Sequence, residues 1–145
     1  MMRLSVFAIA ALAVGITTAD AQDVIAARKA NMKQQGAQAG QGNKFMKGEE
    51  PFDLAKAKHI FEVWAETGAK IAGQFPDNSK TGDTAALPAI WEKKSEFDGL
   101  AAKLVTDAKA ALANVKDEAS FKATFPEVLK DCGGCHRPFR KPPPQ

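Results

Sequence analysis

The sequence predicts an all-α protein, an antiparallel four-helix bundle. Apolar residues recur at three- and four-residue spacing through four segments, and no useful stretch alternates with the two-residue rhythm of a strand. Most connections between those segments are short, which sets successive helices side by side and antiparallel.

The chain opens on a leader-like segment. Met1-Met2-Arg3 is a short positive start, Leu4 to Ile16 is uncharged and mostly apolar, and Ala19-Asp20-Ala21 offers small residues for cleavage after Ala21. The apolar run is shorter than the ~18 residues of a membrane-spanning helix. Residues 1–21 therefore read as a secretory signal peptide, 22–141 as one helical domain and 142–145 as a Pro-rich tail. No later run is long and apolar enough to span a bilayer, so no stable membrane insertion is expected. The formal net charge is only +3, with Lys interspersed among Asp and Glu. Such a balance describes a solvated surface and gives no reason to expect nucleic acid as a partner.

The first helix is expected from about Asp23 to Lys47, stopped by Gly48 and Pro51. Val24, Arg28, Met32, Gln35, Ala39, Gly42 and Met46 share one face of it. That face carries few large apolar groups and would suit something large and flat lying against it. The second helix is expected from about Phe52 to Phe75, with Asp53 near its positive end and Ile60, Trp64, Thr67, Ile71 and Phe75 as its core stripe. Pro76 to Pro88 is longer than a usual bundle loop, which points to a crossover or a binding role. Pro88 suits the first turn of a third helix running to about Asn114, with Phe97, Leu100, Leu104, Ala108, Ala111 and Val115 as its seam. Asp117 is a good N-cap for the fourth, whose inward face holds Phe121, Phe125, Val128, Cys132, Cys135 and Phe139. Pro126 lies inside that pattern and should kink the helix or split it, and Pro138 raises the same expectation near its end.

The only two cysteines, Cys132 and Cys135, are too close in sequence for a disulfide to stabilise much. Cys132-Gly133-Gly134-Cys135-His136 is instead the C-x-x-C-H pattern of covalent haem attachment. Two thiols about one helical turn apart can form thioethers to the two vinyl groups of one haem, and the adjacent His136 can reach the iron from the same side. A zinc site would want four ligands, and the only other histidine is His59. A thioredoxin-like dithiol would want a βαβ setting, which the pattern lacks. One covalent haem c is therefore expected, with His136 as the proximal iron ligand. The sixth position decides the use: a Met ligand raises the potential and suits electron transfer, whereas an open position admits diatomic gases.

With these residues assembled, the chain resembles the cytochrome c′ family, the class II c-type cytochromes, along nearly all its length after the leader. The resemblance rests on Arg28 with Met32 four residues later, Gly48-Glu49-Glu50-Pro51-Phe52-Asp53, Ala86-Leu87-Pro88-Ala89-Ile90-Trp91, and Cys132 through Arg140. It implies a four-helix bundle with haem near the C-terminus and Met32 as the distal iron ligand, as in the low-spin, methionine-ligated branch. It also implies Arg28 near a haem propionate, Arg140 beside His136, and the loop around Thr84 at the haem edge. The expected function is a periplasmic one-electron carrier of a Gram-negative-type bacterium, not an enzyme, serving unidentified redox partner proteins. The alternative is a five-coordinate, high-spin protein binding nitric oxide or carbon monoxide. A haem-free helical interaction protein is a more distant rival. Homodimers occur in the family through the first two helices, so a homodimer is possible.

Other conspicuous residues take simpler roles. Met46 lies ~21 Å along the helix from Met32, too far to serve the same iron, and is expected to pack in the core or at the helix end. His59 falls off the core stripe and is expected at the surface, while Trp64 and Trp91 are expected in the core.

Overall fold

The structure, a computed structural model, describes residues 18–142. Most of the leader and all but the first residue of the Pro-rich tail lie outside the described residues. α1 spans Thr18–Lys47, beginning upstream of the expected Asp23. It stops at Gly48, whose φ of 69° is the left-handed conformation glycine adopts most freely. There Glu49 N–H donates to the Lys44 carbonyl at 2.9 Å and closes the helix end.

α2 spans Leu54–Ile71, and the Asp53 carboxylate caps it by accepting from Lys56 N–H at 2.9 Å. Ile60, Trp64, Thr67 and Ile71 are buried as the stripe predicts. The helix ends before Phe75 and gives way to two single 3-10 turns, Ala72–Gln74 and Asp77–Ser79.

The third segment is not continuous. A one-turn helix, α3, covers Ala89–Glu92, Lys93 leaves helical geometry at φ −120° and ψ 45°, and α4 then runs Lys94–Asn114. The break serves two aromatics on either side of it. Trp91 Nε1 donates to the Phe75 carbonyl at 3.0 Å, and Phe97 still packs its ring edge-to-face on Phe75 at 4.8 Å.

α5 spans Glu118–Phe139 as one helix, so neither Pro126 nor Pro138 splits it. Asp117 and Ser120 form a reciprocal capping box at its start. Pro126 deletes one helical bond, but the carbonyl it orphans belongs to Lys122, an exposed residue that water can reach. Phe121, Phe125 and Val128, buried on both sides of the proline, hold the register. Pro138 sits in the last turn, where the helix is ending anyway.

α1, α2, α4 and α5 form the four-helix bundle the sequence predicts, with α2 packed most heavily on α4, and α4 on α5. The core is strongly aromatic. Trp64 stacks on Phe125 at 5.4 Å, Phe125 on Phe121 at 5.1 Å, and Phe45, Phe52 and Phe61 pack edge-on or tilted around Phe121. Gly42 is required here: a Cβ at that position would lie 2.1 Å from the Phe125 ring. Met46 packs against this core, and His59 is exposed beside Glu62, as expected.

Candidate functional site

Between α1, α4, α5 and the loop before α3 lies a cavity of about 510 Å³. That is a common size for a small-molecule or cofactor site. Its lining brings together all the residues the sequence singled out. Arg28 and Met32 come from α1, Thr84 from the loop, and Cys132, Cys135, His136 and Arg140 from the end of α5. Ile71, Phe75, Ile90, Phe97, Leu100 and Leu104 supply most of the apolar wall.

The loop is fixed to the end of α5 by backbone bonds. Leu87 N–H donates to the Phe139 carbonyl at 3.0 Å, Lys141 N–H donates to the Ala85 carbonyl at 2.8 Å, and Ala86 pairs with Arg140 as an antiparallel bridge. Thr84 Oγ1 accepts from Ala86 N–H at 3.1 Å and shapes the turn. The long connection thus closes one side of the cavity.

Arg28 is buried, only 4% exposed. Its Nη2 donates to the Ser79 carbonyl at 2.7 Å, and its guanidinium lies 4.6 Å from the centre of the Phe75 ring. Nε and Nη1 have no hydrogen-bond partner among the described residues. Burial lowers its pKa, but a guanidinium stays charged in proteins. A buried cation with two free donors beside an open cavity calls for an anionic group in that cavity.

Cys132 and Cys135 are half-buried free thiols, one helical turn apart on α5. Burial raises both, Cys135 to about 11, so both are thiols near neutral pH. A Cβ on Gly133 or Gly134 would meet nothing within 4 Å, so packing of the polypeptide alone does not require glycine at either place. Burial, and then the charge of Arg140, lower the pKa of His136 and favour the neutral imidazole that a metal needs. Arg140 N–H donates to the His136 carbonyl at 3.0 Å, so the two residues are tied through the helix end.

Four further polar residues, Lys29, Lys33, Gln35 and Asp131, line the cavity that the sequence reading did not assign to the site. Gln35 is 7% exposed with an unpartnered Nε2, and Trp64 Nε1 donates to its carbonyl at 3.1 Å. Asp131 is buried with an unpartnered Oδ2. Its position three residues after Val128, on the inward face of α5, was the available sign. Trp64 is fully buried in the core as expected, whereas Trp91 is only half-buried; neither lines the cavity.

The donor set fits a haem. Paired thiols and an adjacent neutral imidazole lie along one wall, a thioether on another helix, and a buried cation stands ready for a carboxylate. Among the described residues no cluster of three or more His, Cys, Asp or Glu could hold a bare metal ion, and no helix is long and apolar enough to cross a membrane.

A family model, Cytochrome C′, matches residues 23–140. Cytochrome c′ of Rhodopseudomonas palustris is 47% identical over 142 residues, spanning 96% of this chain and 97% of that protein. Cytochrome c-556 of Agrobacterium fabrum is 42% identical over 114 residues, 78% of this chain and 77% of that one. The solved structure of the Rhodopseudomonas palustris cytochrome c′ superposes with a TM-score of 0.81 at 46% identity, covering 84% of this chain and 98% of that one. The chain belongs to the cytochrome c′ family, a c-type cytochrome whose haem c is held covalently near the C-terminal end of a four-helix bundle.

Proposed function

We propose that the protein is an exported, periplasmic one-electron carrier. In this reading Cys132 and Cys135 form the thioethers, His136 is the proximal iron ligand and Met32 is the distal one. One observation carries it: Met32 of α1 and His136 of α5 line the same cavity from two different helices. Bound there, haem iron supplies a reversible one-electron couple whose potential a Met ligand raises.

The polypeptide does the rest. His136 offers a neutral nitrogen because burial disfavours its charged form. Arg28 supplies a buried positive charge beside the cavity that would answer a propionate, and the apolar wall of Phe75, Phe97, Leu100 and Leu104 would keep water from the ring. Thr84 and the loop around it bound the exposed edge, where an electron can reach a redox partner protein.

A second reading draws on one further fact, that Met32 is packed against the hydrophobic core. If the sulfur stays in that packing, the iron is five-coordinate and open to nitric oxide or carbon monoxide. Spectra of the native protein and Met32→Ala separate the two. An iron–sulfur charge-transfer band in the ferric native protein, lost in the variant, supports the carrier. High-spin bands in both, shifting on carbon monoxide addition to the ferrous form, support the gas-binding protein.

A further inference from the structure

Asp131 immediately precedes Cys132 and lines the same cavity. Its side chain is 9% exposed; Oδ1 is paired with Lys103 of α4 at 2.6 Å, and Oδ2 is buried without a partner. Lys103 is itself shared, because Asp107, one turn along α4, holds it as well. Two carboxylates thus divide a single ammonium beside the cofactor site, leaving one excess negative charge. Across the cavity the other charged groups are Arg28, Lys29 and Lys33 of α1 and Arg140 at the end of α5, none of them bonded to Asp131.

We propose that Asp131 is the proton acceptor coupled to electron transfer, so that filling the site with one electron draws one proton from water onto Oδ2. The electron comes from a one-electron donor protein, the proton from solvent by way of the exposed Lys103–Asp107 edge, and only an O–H bond forms. Reoxidation releases both. This rests on the reading that Cys132 carries the haem.

The physical cause is mutual repulsion. Added negative charge in the cavity makes the Asp131 carboxylate harder to keep ionised, and by linkage an ionised Asp131 makes the electron harder to add. Desolvation already raises the Asp131 pKa and Asp107 raises it further, while Lys103 partly offsets both. The pKa therefore lies above its ordinary value, and Oδ2 has an unpartnered lone pair to accept the proton.

The test is the midpoint potential of the intact holoprotein, titrated with mediators across pH. In the native protein the potential falls as pH rises through the Asp131 window, with a slope approaching about 59 mV per unit, the worth of a tenfold change for one electron. Asp131→Asn removes that segment of the curve and leaves whatever His136 or the haem carboxylates contribute. Lys103→Met, which strips the counter-charge, moves the window to higher pH, and Asp107→Asn, which strips the competitor, moves it lower. A group that merely props up the fold does not shift the window in opposite directions. A native slope retained in Asp131→Asn, or shifts of Lys103→Met and Asp107→Asn that are absent or share one sign, overturns the proposal. Failure of the underlying reading is seen separately, Met32 ligation in the spectra and attachment at Cys132 in the protein mass.

Discussion

Phe121 and five aromatic side chains around it fill the interior, with neighbouring ring centroids 5.1–5.9 Å apart. The Trp64 indole N–H is satisfied by the Gln35 carbonyl. Around His136, α1, α4, α5 and the loop before α3 enclose a cavity, and Arg28, Gln35 and Asp131 leave buried polar atoms unpaired. The first region is complete as polypeptide. The second is a surface awaiting a counterpart, since buried polar groups without partners cost about 1–3 kcal/mol each. The bundle is thus divided between a part that folds the chain and a part the cofactor must finish.

Removing the attachment chemistry should have the largest effect. Cys132→Ala/Cys135→Ala is expected to abolish covalent haem, read as the bare polypeptide mass. It should also raise amide exchange in the α5 end and the loop around Thr84 far more than around Phe121. Equal loss of protection in both regions would break the comparison. Next comes the aromatic region itself. Phe125→Ala should cost about 3–5 kcal/mol in denaturant titration and leave the haem spectrum at its native band positions, because Phe125 does not line the cavity. A shifted spectrum would show that the two regions are not separable.

The smallest effect is expected at Asp117, whose side chain bonds Ser120 outside both regions. Bonds from Ser120 lower its pKa below the ordinary 3.8. Its cap therefore stabilises the fold above the unfolded carboxylate pKa, and the gain is lost as pH falls through the depressed one. Asp117→Ala should lower the thermal midpoint modestly at neutral pH, and the difference from the native protein should close in acid.

The same division explains what could be read from the residues. Cys132, Cys135 and His136 are adjacent in sequence and announce their chemistry by spacing. Met32 and Arg28 were reachable because one helical wheel places them together. The break at Lys93 was not, since it answers to Phe75, a residue on another element that Trp91 and Phe97 must both reach. At Pro126 local rules allow a kink or a split, and the burial of Phe121, Phe125 and Val128 on both sides decides against the split. Asp131 was hidden by its partner, because nothing along α5 says that Lys103 lies opposite.

The tie between residues 85–87 and 139–141 has a consequence for the order of assembly. Those last residues follow every other element of the bundle, so this wall of the pocket cannot be fastened while any of the chain before them is still emerging. Until then the thiols stand in an unlatched cleft, accessible to whatever machinery delivers the porphyrin. Fastening afterwards narrows the way in. A shortened chain ending before Phe139 would keep both cysteines and the imidazole yet lose the latch.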